Sequence, residues 1–416
     1  MRRTTILALL ALALMAAAPA SAQSKPEGKD APVLALVGAT LIDGNGGTPV
    51  PDAVVLIQGK TILKAGPASA VKVPEKAETI DVRGKFILPG FIDCHIHITF
   101  PSNATELYTD DDAAITLRAL HFMNLYLKSG VTAVRDVGGH VPTLQALAAA
   151  QAQGYIDSIR LFACGDLITT TGGHGDGYKG TLAADGPWEW RKAVRRMAKA
   201  GFGHIKISPP YTLEEAQAAV EEARMQGLRI TSHGGGQSDT TPTTMTRIAV
   251  QAGVQCIEHL NEMEDDVLDL MAAKGVYNVP TLSVYRAQYR AGVVPRVLTE
   301  KRHWTQALHE TLFRKARQRK ILMGVGTDFT LSFMSRYPGC YVEEMKYFVE
   351  LGMSPMEAIV AATHNGAVIL DKQDQIGTVE AGKRADLQVI GGDPLKSFDA
   401  LGHPEIVVMD GKIHRF

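Results

Sequence analysis

The sequence predicts an α/β protein: a (β/α)8 TIM barrel with a small β-sandwich domain built from both termini. Three observations carry this. Eight short apolar runs alternate with long helical stretches, both chain ends have a different, β-rich texture, and ligand-type side chains recur where the eight runs stop. The 416 residues are 45% hydrophobic and 21% charged, enough for a large core, which excludes a disordered or collagen-like chain. Lys and Arg total 43 against 44 Asp and Glu, a formal charge of −1. No surplus of positive charge is left to neutralise a phosphate backbone, so nucleic acid is excluded as a partner.

The chain opens with Arg2 and Arg3, an apolar run from Ile6 to Ala18 and the small-residue site Ala20-Ser21-Ala22. This order is that of a secretory signal peptide over residues 1–22. The run falls short of the about 20 residues that a membrane span needs. The expected location is therefore outside the cytoplasm, periplasmic or secreted, with no membrane attachment once the leader is cut. Cleavage removes two arginines and no acid, taking the formal charge from −1 to −3.

Residues 33–62 carry short β-type runs separated by turn signals (VLALVGATLI, DGNGG, AVVLIQGKTIL), and the same texture returns in RADLQVIGG and PEIVVMDGKIHRF. These are expected to be small antiparallel strands, forming one composite β-domain from residues 23–88 and 375–416. Between them, at 89–374, lies the barrel. Its strands are expected at FIDCHIHIT (91–99), VTAVRDVGG (131–139), IRLFACGDL (159–167), GHIKIS (203–208), LRITSHGG (228–235), QCIEHL (255–260), VYNVPTL (276–282) and ILMGVGTD (321–328). Eight parallel strands with intervening helices close into a barrel whose chemistry sits at the strands' C-terminal ends. Cys94, Cys164, Cys256 and Cys340 are too few and scattered for a disulfide scaffold and include no CxxC pair, so a thiolate zinc site is not expected; the pairing of these four is left open.

His95 and His97 stand two apart on the first strand and share a face. A barrel interior normally takes Val, Ile or Leu, so two inward imidazoles point to a metal. The pattern continues: Lys206 ends the fourth strand, His233 the fifth, His259 the sixth and Asp328 the eighth, so four of the thirteen histidines fall at the catalytic end of the barrel. Lys206 needs its own explanation, because a protonated ammonium would repel a divalent cation. Burial and cationic neighbours lower a lysine pKa, and the freed amine can capture carbon dioxide as a carbamate, an anionic ligand able to bridge two metals. His95, His97 and Asp328 would then hold one ion and His233 and His259 the other.

Taken together, GKFILPGFIDCHIH (84–97), GHIKIS, ITSHGGG, IEH, GTD and the tail GTVEAGKRADLQVI (377–390) resemble the amidohydrolase superfamily over nearly the whole mature chain. TAVRDVGG, TTTGGHGD (169–176) and the run from Ile257 to Leu282 are similar to its imidazolonepropionase-like group, which includes Xaa-Pro and Xaa-Arg/Lys dipeptidases and hydrolases of N-acyl amino acids, ochratoxin hydrolases among them. The resemblance implies a metal-bearing barrel with a two-ended β-domain. It also implies two divalent ions, expected to be zinc, with Lys206 as N6-carboxylysine. Two features depart from the group: Gly234 follows His233 where relatives carry Ala, and the segment after Asp328, FTLSFMSRYPGCY, matches no subgroup.

The reaction expected is hydrolysis of a peptide or N-acyl amino acid amide by a metal-bridging hydroxide, with Asp328 as base and then acid. His174, in the glycine-rich TTGGHGDGYKG with Asp176, would polarise the carbonyl or bind a substrate carboxylate. His140, Tyr211 and Arg286 are further candidates for substrate contact, with Arg290 and Arg336 as other cations on the loops after strands 7 and 8. The partners expected are a small-molecule substrate and further copies of the chain. Two rivals stand beside this reading: a mononuclear cyclic-amide hydrolase or deaminase, and a non-enzymatic exported metal-binding protein. A deaminase would use a glutamate near strand 5 or 6 for proton transfer; Glu258 precedes His259, but alternation along the strand points it away.

Overall fold

The computed structural model describes residues 31–100, 109–235, 244–261, 263–291, 304–328 and 339–416. The expected signal peptide, Arg336 and most of the segment after Asp328 lie outside them.

The chain begins with β1 (Val33–Leu41), β2 (Val50–Gln58) and β3 (Thr61–Pro67), an antiparallel meander, followed by β4 (Glu78–Asp81) and β5 (Phe86–Pro89), which both run parallel to β1. Alternation decides the faces: Leu34, Leu36, Val55 and Ile57 enter one core, whereas Ala35, Val54 and Leu56 enter another on the opposite side.

From β5 the chain passes directly into the barrel. Its parallel strands are β6 (Phe91–Ile96), β7 (Val131–Asp136), β8 (Arg160–Ala163), β9 (Leu167–Thr169), β11 (His204–Ile207), β12 (Arg229–His233), β13 (Cys256–Glu258) and β14 (Tyr277–Val279); β10 (Thr181–Ala183) is an outer addition beside β9. Two departures from the expected strands have local causes. The third is broken into β8 and β9 at Gly165, whose φ of +73° and contact with Met197 and Phe202 leave no place for a Cβ. The eighth, 321–328, forms a single bridge, Asn278 with Met323, and then meets β6 through Cys94 N to Val325 O (2.8 Å) and Asp328 N to His95 O (2.8 Å). Those bonds close the barrel. Gly326 permits the approach, since a Cβ there would lie 2.3 Å from Val279 and 2.9 Å from His95.

The intervening helices follow from local signals. Leu213–Met225 starts with a capping box between Thr212 and Glu215, and Pro355–Ala362 has the same device in Ser354 and Glu357 with proline at its first position. Gly186–Lys199 turns Trp190, Ala193, Val194 and Met197 inward at helical spacing, all buried in the main core. No helix among the described residues is long and apolar enough to cross a membrane.

The tail returns as β15 (Leu387–Ile390), β16 (Ile406–Met409) and β17 (Lys412–Arg415), with β15 antiparallel to β5, so one sheet of eight strands joins the segments on either side of the barrel. Arg160 of the barrel forks onto the buried Asp386 at 2.8 and 2.9 Å and also reaches Asp410, tying that sheet to β8. All four cysteines are buried free thiols.

Candidate metal centre

Because every barrel strand runs the same way, residues at the C-terminal ends of β6, β11, β12 and β13 and of segment 321–328 gather on one face. There stand His95, His97, Lys206, His233, His259 and Asp328, all buried except Asp328, which is partly buried. The rings form a continuous series: His97 to His95, centroids 5.4 Å apart; His95 to His259, 4.8 Å; His259 to His233, 4.4 Å; His233 to His174, 4.6 Å.

Three of the imidazoles are held by their inner nitrogen. His97 Nδ1 donates to Gly138 O at 2.8 Å, His259 Nδ1 pairs with Thr281 Oγ1 at 2.7 Å, and His95 Nδ1 lies 2.7 Å from Glu258 Oε2. The outer nitrogens converge. His95 Nε2 and His97 Nε2 lie 3.5 and 3.6 Å from the same oxygen, Asp328 Oδ1, and donor atoms of His95, His259 and Asp328 all fall within 4.8 Å of one another.

Burial makes these histidines neutral. It drives His95, His233 and His259 well below the ordinary imidazole range, His97 to about 3 and His174 to about 4, and the charge of Lys206 pushes each the same way. Burial also raises Asp328 to about 7, opposed by Lys206. The Lys206 amine is lowered by burial, against the pull of Glu258 and Asp328, and among the described residues its Nζ has no hydrogen-bond partner. A neutral His97 that donates from Nδ1 presents a lone pair at Nε2, and His95 Nε2 is buried with no hydrogen-bond partner among the described residues. Neutral imidazoles facing a carboxylate with lone pairs outward are the donor set that divalent zinc takes, so the residues fit a metal.

Backbone clamps set the geometry. The Asp93 carboxylate, raised to about 7 by burial, accepts from His95 N (3.2 Å), Thr327 N (3.1 Å) and Thr327 Oγ1 (2.8 Å), joining β6 to the residue before Asp328. Asp136 accepts from Ile98 N (2.7 Å) and Gly138 N (3.2 Å), bracing the loop that holds His97.

His174 reaches the site although it follows strand 3, because its loop folds back and its amide donates to Pro209 O at 3.1 Å. Other expected contacts lie elsewhere. His140 precedes the helix Val141–Ala152 and faces Thr143 (3.2 Å) and Asp112 (3.6 Å). Tyr211 is buried against Trp190 with its hydroxyl 2.6 Å from Ser232 Oγ. Arg286 is spent on Glu310 and Glu350, both at 2.8 Å, and lies over the Tyr347 ring at 3.7 Å, where it cannot serve as a free cation for substrate. Arg290 is exposed, and Asp176 accepts from Gly172 within its own loop.

Glu258 corrects the expectation from alternation. It points inward, fully buried, to His95, Thr231 and Arg135, with Arg135 Nη2 at 2.6 Å. Alternation along β13 does hold for Cys256 and Glu258; it is His259 that breaks it, with φ +68°, so that consecutive residues both turn inward. Arg135, in TAVRD, was the available signal, since a charged residue within an apolar strand needs a buried partner.

This fold and site define a metal-dependent hydrolase of carbon–nitrogen bonds. The chain belongs to the amidohydrolase family, whose model matches residues 86–414. Among its relatives are the ochratoxinase of Aspergillus niger, 27% identical with 91% of this chain and 85% of the relative covered, and the imidazolonepropionase of Caldanaerobacter subterraneus subsp. tengcongensis, 24% identical over 82% and 84%. A solved Xaa-Pro dipeptidase with methionine bound in its active site superposes with a TM-score of 0.82 at 28% identity, over 92% of this chain and all of that one.

Proposed function

We propose that the protein is an exported, binuclear, zinc-dependent enzyme that cleaves the amide bond of a dipeptide or an N-acyl amino acid. The observation that carries this reading is Lys206: a buried amine with no hydrogen-bond partner among the described residues, lowered in pKa, among four neutral histidines and Asp328. Such an amine adds carbon dioxide at Nζ with loss of one proton, and the resulting carbamate offers two oxygens to two ions. A mononuclear lactam hydrolase or deaminase has no use for that ligand. The leader at residues 1–22 supports export.

His95, His97 and Asp328 would hold one ion, and His233 and His259 the other, with carboxylated Lys206 between them. When bound, the ions supply Lewis acidity to a carbonyl and lower the pKa of a water. Asp328 accepts the proton of the attacking water at its carboxylate and returns it to the departing nitrogen. Neutral His174, half-buried at the edge of the ring series, can donate a ring N–H to the carbonyl oxygen or to a substrate carboxylate. The ochratoxinase and Xaa-Pro dipeptidase relatives support the substrate class.

The test is a panel of dipeptides, N-acyl amino acids and cyclic amides offered to protein whose metal has been counted. Two ions per chain with turnover confined to linear amides is the expected result. One ion with turnover of a cyclic amide alone would overturn the reading.

A further inference from the structure

Beneath the histidines lies a buried ion pair that no part of the hydrolytic scheme uses. Arg135 donates from Nη2 to Glu258 Oε1 at 2.6 Å and from Nε to Cys94 O at 2.6 Å, while Thr231 Oγ1 also meets Glu258 Oε1. The other oxygen, Oε2, lies 2.7 Å from His95 Nδ1. Arg135 and Glu258 are 1% and 0% exposed. A buried pair of this kind gains little stability over apolar residues of the same volume, so its presence in a barrel core calls for another use.

The geometry specifies one. Guanidinium is a permanent cation and donates only, so the carboxylate it grips is an acceptor. An imidazole nitrogen 2.7 Å from that acceptor must carry a hydrogen. The ring is then locked with Nδ1–H inward and the Nε2 lone pair outward, toward Asp328 Oδ1 at 3.5 Å. Arg135 adds a second constraint, because its Nε bond to Cys94 O fixes the backbone immediately before His95. Sequence distance makes the device non-local: Glu258 is 163 residues from His95, and Arg135 lies on β7 between them.

We propose that Glu258, held by Arg135, is a positioning residue that fixes the tautomer and orientation of His95 before any metal arrives, so that the pair sets the affinity of the site. The inference rests on the metal reading above only for the affinity; the tautomer is a property of the metal-free protein.

The test compares wild-type protein with Glu258→Gln and with the double variant Glu258→Gln/Arg135→Met, all stripped of metal. Two-bond proton–nitrogen NMR of labelled imidazoles, with His95 assigned by its loss in His95→Asn, reports the tautomer, and competition with a chromophoric chelator reports Zn2+ affinity. The wild type should show Nδ1–H at His95, and Glu258→Gln should give a mixed or Nε2–H form with Zn2+ bound about 10- to 100-fold more weakly. Because the single variant leaves Arg135 buried without its anion and could unfold, the double variant carries the decision. Normal melting with a tautomer and affinity still altered supports positioning. Normal melting with both restored to wild-type values would show that the pair is only structural and overturn the proposal. A wild type that binds no Zn2+ would sink the metal reading, and the tautomer comparison would still judge Glu258.

Discussion

Thr327 grips the Asp93 carboxylate twice, from its amide at 3.1 Å and its hydroxyl at 2.8 Å, and so bolts the segment carrying Asp328 to the strand that carries His95 and leads into His97. Thr327→Val keeps the shape and removes the hydroxyl. Stripping one donor from a buried carboxylate should cost about 1–3 kcal/mol, read by urea denaturation at neutral pH. Zn2+ affinity should fall with it, since Asp328 follows directly. An unchanged midpoint and unchanged affinity would mean that the amide alone suffices.

Lys206→Ala removes the buried amine that stands among the histidines. Metal content should drop below that of wild-type protein purified in parallel, and activity should fall by at least the ~10²–10⁴-fold typical of a lost catalytic group. Short carboxylic acids should restore part of both, because they can occupy the place of a carbamate. Full metal content and full rate in the alanine variant would make Lys206 structural.

Asp328→Asn separates coordination from proton transfer, since the amide keeps an oxygen of similar size but cannot take a proton at working pH. The expected result is retained metal with kcat lowered about 10²–10⁴-fold and KM little changed. A variant with both ions and near wild-type rate would pass the proton role to another group, His174 first.

Arg286 is expected to matter for stability and not for substrate. Its guanidinium joins Glu310 and Glu350 across two helices and covers Tyr347. Arg286→Met should destabilise by about 1–3 kcal/mol, while kcat/KM stays within about threefold of wild type. A large rise in KM at unchanged stability would instead return Arg286 to the substrate pocket.

His204, at the opposite end of β11 from the site, gives a signed pH test. Burial lowers it to about 3, so between its unfolded pKa of about 6.5 and that value the unfolded chain binds a proton that the folded chain refuses. Its contribution is therefore complete above the unfolded value and is lost as pH falls. From pH 7 to pH 5, His204→Phe should gain about 2 kcal/mol relative to wild type, measured as the difference between paired urea titrations. A constant difference across that range would show that His204 takes up its proton in the folded protein over the same pH range as in the unfolded chain.

Much of the site was legible because its residues carry their own signal. Two histidines at spacing two on an apolar strand, and a lysine, two more histidines and an aspartate each closing a later run, mark one face of a parallel barrel whatever the loops do. His174 was legible from its glycine-rich setting. Tyr211 and Arg286 were not, because a tyrosine or arginine after a strand reads the same whether it meets substrate or its own helices; only the partners Ser232, Glu310 and Glu350 distinguish them.

The order of residues determined the strand polarity, the two-ended sheet and the identity of the metal-type side chains, since these follow from local periodicity and from the one-way run of parallel strands. Tertiary structure decided what lies under them. Glu258 reaches His95 across 163 residues, and both Glu258 and His259 face inward only because His259 takes φ +68°. A period of two is a property of neighbouring residues. The turn that breaks it, and the contact between strands that the closed barrel brings together, depend on packing that no stretch of sequence contains.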